Sequence, residues 1–271
     1  MSKRKIEFTL PADLKCSSLV RRISEEIFHH VGFTKEWANR LKLVVDELFM
    51  NANRYGSKKE GGTVFIEFSY DDETITFKIE DEGVGSKKTC AKDLKQLIDR
   101  NSDEMRDVTK TSGRGLALIS NLWTDSMMVE DSRHGGIAIS FTKKISSEAP
   151  PAPPPIFESA KVEIESKQGQ SPVTGRGTVE IIELSGEIDA SNLEEKIQSV
   201  NDKLKVLPRG STLVLDCASL VYINSTFIGY LAAWLNELQA KDGQLVLRNT
   251  NKQIRDVLEL VGLSKVIYLE T

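Results

Sequence analysis

The chain has 271 residues, of which 39% are hydrophobic and 28% are charged, and its formal net charge at pH 7 is −4. This length allows two domains of ordinary size, and the composition is typical of globular domains and not of a disordered chain. The small negative charge gives no electrostatic footprint for nucleic acid, and no apolar run approaches the roughly 18 residues that span a bilayer. Cys16, Cys90 and Cys217 are widely separated, which predicts neither a disulfide framework nor a metal site and favours the reducing cytoplasm.

A proline-rich segment divides the sequence into two parts. Five of the eight prolines lie between Glu148 and Pro155, and such a segment is expected to be extended, stiff and unable to join a sheet. We therefore predict an N-terminal domain over 1–145, a linker over 146–155 and a C-terminal domain over 156–271.

The first part is predicted to fold as a two-layer α/β sandwich, with helices on one side of a mainly antiparallel sheet. Its long helix begins after an N-cap at Thr34 and runs to about Arg54, because apolar residues recur along it at helical spacing. The other predicted helices are Ser17–Val31, Ala91–Arg100 and Leu116–Trp123. The predicted strands are Lys5–Leu10, Thr63–Tyr70, Thr74–Glu80, Asp125–Glu130 and Ile137–Lys143.

An acid and an amide, Glu47 and Asn51, lie one turn apart on this long helix. At 100° per residue both lie along one edge of the apolar stripe, so they are expected to point into a pocket beside the core. The amide oxygen of Asn51 is a hard ligand suited to Mg²⁺ beside phosphate oxygens, and the carboxylate of Glu47 can accept the proton of an attacking hydroxyl. The alternative is a pair of solvated helix residues.

A second motif, Asp81-Glu82-Gly83-Val84-Gly85, follows directly after a predicted strand. Gly83 and Gly85 let the backbone turn tightly and approach a flat ring. The Asp81 carboxylate can then accept hydrogen bonds from the amino group of adenine. The alternative is an ordinary Asp-Gly turn.

A third motif, Gly113-Arg114-Gly115-Leu116, leads into an apolar helix. The free N–H groups and the dipole at such a helix start favour an anion, and Arg114 adds a positive charge for phosphates or for a carboxylate of a partner. The polar stretch 86–112 is predicted to be a lid that closes over the nucleotide.

Together, these three motifs resemble the GHKL (Bergerat-fold) ATPase superfamily over about residues 5–145, and most closely its bacterial anti-sigma factor serine/threonine kinases. The resemblance implies ATP and Mg²⁺ as cofactors. It also implies a role for each motif residue: Glu47 as catalytic base, Asn51 as Mg²⁺ ligand, Asp81 with Gly83 and Gly85 at adenine, and Gly113, Arg114, Gly115 and Leu116 at the phosphates. In one respect the chain differs, because the family usually has a threonine after the glycine of its final motif, whereas Gly136 is followed by Ile137 and Ala138.

The second part alternates strands with amphipathic helices, which predicts a small βαβ-type domain. The predicted strands are Val179–Ser185, Thr212–Asp216, Gln244–Arg248 and Lys265–Leu269, and the predicted helices are Ser191–Val206, Thr226–Ala240 and Asn251–Val261. Ser191 with Glu194 predicts a capping box at the start of the first helix.

Residues 216–229, with Leu184–Asp189 before them, resemble the signature of STAS domains, the anti-sigma factor antagonists. The resemblance covers about residues 156–271 and implies that Thr226 accepts a phosphoryl group, with Ser225 as the neighbouring acceptor. A helix start stabilises such a charge, although one of these hydroxyls can instead be only an N-cap. Asn224 replaces the acid of the family and Phe227 replaces its glycine, so Phe227 is expected either to hinder a kinase or to anchor another partner.

The combined interpretation is an ATP-dependent serine/threonine kinase of the anti-sigma type fused to an antagonist domain, acting as a partner-switching regulator of transcription or stress signalling. It is expected to phosphorylate Thr226 in its own STAS domain, in cis or in trans, or the STAS domain of a partner. The expected partners are a sigma factor or another STAS or anti-sigma protein, a protein phosphatase, and a second copy bound through the kinase domain. The alternative is a non-catalytic ATP-binding scaffold; direct binding to nucleic acid or membrane is not expected.

Overall fold

The computed structural model describes residues 3–57, 61–85, 90–96, 123–150 and 177–270. These residues form two compact units, one built from the described residues up to 150 and the other from residues 177–270. Residues 91–96 of the predicted helix Ala91–Arg100 are helical. The motif at 113–116, most of the predicted lid and residues 116–122 of the helix predicted after it lie outside the described residues.

The N-terminal unit contains the strands and long helices that the sequence predicts. They are β1 (Arg4–Pro11), α1 (Ser17–Val31), α2 (Lys35–Asn51), β2 (Thr63–Tyr70), β3 (Thr74–Glu80), β4 (Ser126–Asp131) and β5 (Ile137–Lys144). Thr34 is the N-cap of α2, since its side chain accepts a hydrogen bond from the N–H of Trp37. One boundary differs: α2 ends at Asn51 and continues as a π-helical turn, Ala52–Gly56, which a pattern of apolar spacing does not distinguish from further α-helix.

The five described strands form one antiparallel sheet in the order β1-β2-β3-β5-β4. Alternate residues of the central strands are buried, among them Phe68, Phe77 and Phe141, each no more than 1% exposed. These side chains and the apolar stripe of α2 make the core, whereas the other face of the sheet carries polar contacts such as the hydrogen bond between the Thr76 and Thr142 hydroxyls (3.0 Å). The predicted two-layer α/β sandwich is confirmed.

A buried ion pair joins α1 to α2. The guanidinium of Arg21 donates a hydrogen bond to Asp46 Oδ1 at 2.7 Å, and the two side chains are only 2% and 3% exposed. Because a buried charge without a partner is strongly unfavourable, this pair limits how α1 and α2 can rotate against each other. Asp46 directly precedes Glu47, so the pair also fixes the orientation of the helix that carries the first motif.

We expect Asp46→Asn to destabilise the N-terminal unit by about 3–5 kcal/mol, because the change removes the negative charge that lies 2.7 Å from the buried guanidinium of Arg21. Hydrogen-exchange protection of the α1 and α2 amides measures this loss separately from the C-terminal unit. Glu7→Gln, which removes a carboxylate from an exposed pair with Lys5, is the matched control and should leave protection unchanged. Equal protection in both variants would contradict the prediction.

The C-terminal unit is a parallel sheet covered by helices, as predicted. Its elements are β6 (Val179–Ile188), α3 (Leu193–Val206), β7 (Thr212–Ile223), α4 (Ser225–Ala240), β8 (Gln244–Arg248), α5 (Lys252–Leu260) and β9 (Tyr268–Glu270), and the described strand order is β6-β7-β8-β9. The strands β6 and β7 extend beyond their predicted ends because they continue to pair with each other through two register shifts. The final predicted strand is wrong over its first three residues, since Lys265 ends a 3-10 turn (Leu263–Lys265) and β9 begins only at Tyr268.

The predicted capping box at Ser191 is also wrong. The helix α3 begins at Leu193, two residues later than predicted, and its N-cap is Asn192. The hydroxyl of Ser191 instead donates to Asp189 Oδ1 at 2.6 Å. Asp189 begins the loop after β6, so the local hydrogen bonds of that loop compete successfully with the capping arrangement.

Phe227 belongs to the core of this unit. Its side chain is 1% exposed and packs edge-on against Trp234, with ring centroids 5.5 Å apart. The positions Phe227, Leu231 and Trp234 lie on one face of α4, since they are separated by four and seven residues. The expectation that Phe227 hinders a kinase or anchors a partner is therefore wrong, because tertiary packing has turned this residue inward.

Phe227→Ala should destabilise the C-terminal unit by about 3–5 kcal/mol, since it leaves a cavity beside Trp234. Phe227→Leu should cost less than about 1.5 kcal/mol because it keeps most of the buried volume. Urea denaturation of chain labelled with 5-fluorotryptophan, followed by ¹⁹F NMR, reports Trp234 separately from Trp37 and Trp123. Wild-type stability in Phe227→Ala would show that the ring is not part of the core.

Candidate functional site

The Asp81 carboxylate is the centre of the candidate site. Asp81 follows β3 and is 7% exposed, and its Oδ1 accepts hydrogen bonds from the N–H groups of Gly83 (2.9 Å) and Ile137 (3.2 Å). These two donors hold the carboxylate in one orientation. Within the described part of the chain, the other oxygen, Oδ2, has no hydrogen-bond partner, so it remains able to accept from a ligand.

Three backbone segments close around this carboxylate, and each contributes a glycine at the point of contact. A Cβ atom at Gly56 would lie 2.0 Å from Asp81 Cγ, and one at Gly136 would lie 1.9 Å from Oδ1. Gly83 has φ of +65°, and a Cβ there would lie 2.4 Å from the carbonyl oxygen of Gly135. We call these residues, Gly56, Asp81, Gly83 and Gly136, the aspartate cradle.

Gly85 completes the contact between the second motif and the end of the long helix. A Cβ atom at Gly85 would lie 2.1 Å from the carbonyl oxygen of Tyr55, and the N–H of Val84 donates to the carbonyl of Gly56 at 3.0 Å. The glycines at 83 and 85 therefore permit close packing of backbone on backbone, whereas the predicted approach of this turn to a flat ring stays a prediction. Gly56 belongs to none of the predicted motifs, and its only signal in the sequence is a glycine at the end of a long apolar helix.

Burial raises the pKa of Asp81 above its ordinary value. The hydrogen bonds from Ile137 and Gly83 favour the charged form and oppose this shift, and the nearby Glu82 charge adds to it. The carboxylate is thus held where water solvates it poorly, which strengthens any hydrogen bond that Oδ2 accepts.

Glu47 and Asn51 lie on α2, which continues into the turn that ends at Gly56. Glu47 is 8% exposed and Asn51 is half-buried at the last residue of the helix. The predicted apolar stripe beside them is buried at every position, namely Trp37, Leu41, Val44, Val45, Leu48 and Ala52. The Asn51 amide has no side-chain partner among the described residues, so its oxygen is available to a hard cation and the residue fits Mg²⁺.

Ile137 occupies the position where the resemblance leads one to expect a threonine. Its N–H donates to Asp81 Oδ1, and its carbonyl accepts from the N–H of Asp81 at 3.1 Å. Both contacts use the backbone, so they are independent of the side chain at 137. The missing hydroxyl therefore leaves the orientation of Asp81 intact.

The second candidate site is the start of α4. Asn224 is the N-cap, because its Oδ1 accepts from the N–H of Phe227 at 2.9 Å, and its own N–H donates to the carbonyl of Ile188 at 3.0 Å. Ser225 and Thr226 are the first two helical residues, and both are half-buried. The alternative that one of these hydroxyls serves as the N-cap is therefore wrong, since Asn224 already has that role.

The residues Gly113, Arg114, Gly115 and Leu116 lie outside the described residues, so their assignment to phosphates stays a prediction. Within the described ranges no group of three acidic, histidine or cysteine side chains is arranged to hold a metal ion. In the same ranges no helix has the length and apolar character needed to cross a bilayer.

Comparison with known proteins agrees with this division into two units. The histidine kinase-like ATPase domain family matches residues 10–143, and the family described as Mlab, STAS domain matches residues 173–270. The serine-protein kinase RsbW of Staphylococcus epidermidis is 30% identical over 145 residues, which are 53% of this chain and 88% of the relative. RsbW of Staphylococcus aureus strain RF122 gives the same values, and RsbW of strain JH9 is 29% identical over the same length. Through its N-terminal half the chain therefore belongs to the GHKL-like, histidine kinase-like ATPase family that includes the RsbW anti-sigma factor kinases, and it carries a STAS domain after that half.

Proposed function

We propose that the chain is an ATP-dependent serine/threonine protein kinase of the anti-sigma type, and that its N-terminal domain phosphorylates Thr226, with Ser225 as the secondary acceptor. The observation that carries this proposal is the aspartate cradle, in which one carboxylate oxygen is fixed by two backbone donors and the other is left for a ligand. A fixed acceptor suits the exocyclic amino group of adenine, which offers two N–H donors.

Each residue of the nucleotide site has a distinct proposed role. Asp81 accepts from the adenine amino group, Asn51 holds Mg²⁺, and Glu47 takes the proton of the attacking hydroxyl. The magnesium ion, when bound, supplies positive charge to the phosphates. The motif Gly113–Leu116 is proposed to bind those phosphates, with support from the family resemblance.

We propose that the N-terminal kinase domain binds the acceptor Thr226 either of the same chain or of a second chain. We propose domain limits of 1–145 and 156–271, joined by the linker 146–155. From Ser146 to Gly177 the chain has roughly thirty residues, which reach at most about 100 Å and give an effective concentration on the order of millimolar. A phosphoryl group on Thr226 would add charge to a half-buried helix start and release a partner held there.

The proposed setting is the cytoplasm of a bacterium, where the protein acts as a partner switch. The proposed partners are a sigma factor or another STAS or anti-sigma protein, with a protein phosphatase to reverse the reaction and a homodimer through the kinase domain. The similarity to RsbW supports this assignment over half of the chain, and the STAS domain supports a fused antagonist.

Incubation of the purified chain with Mg²⁺ and ATP should add phosphate to Thr226 or Ser225, as mapped by intact mass and peptide fragmentation. Glu47→Ala should slow this transfer by about 10²-fold or more, because it removes the proton acceptor, and should keep ATP binding. Mixing Glu47→Ala chain with Thr226→Ala chain separates the routes, since only transfer in trans labels Thr226 in the mixture. ATP binding without phosphate on any residue would instead support the non-catalytic scaffold.

Asp81→Asn should lower ATP affinity by about tenfold or more, because the amide keeps both backbone hydrogen bonds through its oxygen and turns an N–H group toward the adenine amino group. Isothermal titration calorimetry measures this change.

The same variant should be as stable as the wild type or more stable at neutral pH. The pKa of Asp81 is raised in the fold, so its ionised form opposes folding at pH values above that raised pKa. The gain should disappear as pH falls below the ordinary pKa of aspartate, where the wild-type carboxyl is protonated in both states. Loss of stability in Asp81→Asn at pH 7 would contradict this account.

A further inference from the structure

A cluster of charged and aromatic side chains lies on the sheet face opposite α1 and α2, which the described helices leave uncovered. Its centre is Glu80, whose carboxylate is only 4% exposed and forms ion pairs with Lys78 and with Arg133 Nε at 3.3 Å. His134 Nε2 lies 3.4 Å from the same carboxylate and accepts a hydrogen bond from Arg133 Nε at 3.2 Å. The His134 ring stacks on Phe65 with centroids 3.5 Å apart and an interplanar angle of 3°. A buried carboxylate requires nearby positive charge or hydrogen bonds, so the residues of this cluster depend on one another.

Glu80 and Asp81 are consecutive, and both hold the same turn. This turn, residues 132–136, joins β4 to β5. Glu80 contacts its first part, through Arg133 and His134. Asp81 contacts its end, where Gly136 packs against the carboxylate and the following N–H, that of Ile137, donates to Oδ1.

Among the described residues, the backbone of the turn is held by two hydrogen bonds of its own and by close packing on Asp81 and Gly83. Gly135 and Gly136 are adjacent, and Gly135 has φ of +97°, so the backbone has wide conformational freedom just before it reaches Asp81. Within the turn, the Gly135 N–H donates to the Ser132 carbonyl at 3.1 Å and the Ser132 N–H donates to the Gly136 carbonyl at 2.8 Å. These bonds shape the turn, whereas the contacts of Arg133 and His134 fix it to the sheet.

We propose that Glu80 is a positioning residue for base recognition: by holding Arg133 and His134 it fixes the turn that orients the Asp81 carboxylate, and so sets the selectivity of the site for a 6-amino purine. This inference rests on the proposed binding of adenine nucleotides. Side chains on the uncovered face of the sheet would thus influence the nucleotide site without being part of it. Glu80 acts through the turn and has no contact with the nucleotide.

The test compares the affinities of the full-length chain for ATP and for inosine triphosphate, which has a 6-oxo group in place of the 6-amino group. The wild type should prefer ATP by about tenfold or more, since Oδ2 accepts from the amino group and repels the oxo group. Glu80→Gln and His134→Ala should each reduce this preference by about threefold or more. A purely structural role for the cluster would weaken both nucleotides equally and leave the ratio unchanged.

Glu67→Gln is the matched control. Glu67 lies on the same sheet face, on the strand next to β3, and its carboxylate pairs with Lys5 at 3.0 Å and not with the turn. This variant should keep the wild-type ratio. Thermal denaturation of each variant tests whether the fold is retained. If Glu80→Gln does not fold, His134→Ala is used in its place, because His134 is half-exposed and its replacement disturbs the core less.

The outcomes separate the two proposals. A selective wild type with unchanged selectivity in Glu80→Gln, or in His134→Ala where that variant decides, overturns the role of Glu80 and leaves the nucleotide site standing. A wild type that binds neither nucleotide, or binds both equally, overturns adenine recognition by Asp81 and the role of Glu80 with it. Reduced selectivity in Glu67→Gln equal to that in Glu80→Gln also overturns the specific role of Glu80.

Discussion

The close packing of backbone around the Asp81 carboxylate is the constraint on which the candidate site depends. Atoms of the turn after α2, of the loop after β3 and of the β4–β5 turn all approach this one group, and at Gly56 and Gly136 a Cβ atom would lie within 2.0 Å of it. Two N–H groups direct Oδ1, while burial raises the pKa of the acid. The ionised carboxylate therefore opposes folding, a cost to stability that is common at functional sites and that agrees with the proposed role of Asp81.

The two faces of the N-terminal sheet contribute differently to the surroundings of Asp81. The helix-covered face supplies the core, and the buried pair of Arg21 and Asp46 sets α2 so that Glu47 and Asn51 lie beside the core. The uncovered face carries Glu80 and its partners from the β4–β5 turn. Because adjacent residues of an extended chain point to opposite faces, Glu80 at the end of β3 and Asp81 directly after it contact the same turn from different sides, as their proposed roles require.

In the C-terminal unit, backbone contacts and core packing likewise fix the position of the hydroxyl residues Ser225 and Thr226. The parallel strands β6 and β7 end side by side, and Asn224 joins them by accepting from the start of α4 and donating to Ile188. Phe227 then turns into the core, whereas the hydroxyl-bearing residues of the first turn, Ser225 and Thr226, remain half-buried. In this chain an amide replaces an acid at the cap, so a phosphoryl group on Thr226 would meet no negative charge from Asn224.

The sequence by itself determined the order of the described elements, the two-layer sandwich and the βαβ unit, because period, capping and glycine placement are local properties. The nucleotide-binding roles of the three motifs stay predictions. Thr34 as N-cap, the buried stripe of α2 and the strands β2 and β3 could all be predicted in this way. Tertiary structure alone decided the rest. The π-helical turn, the contact of Gly56 with Asp81, the inward position of Phe227 and the joining of Glu80 to Arg133 and His134 each depend on residues distant in the chain. Such contacts are selected by packing and by the need to pair a buried charge, and neither is encoded in the spacing of neighbouring residues.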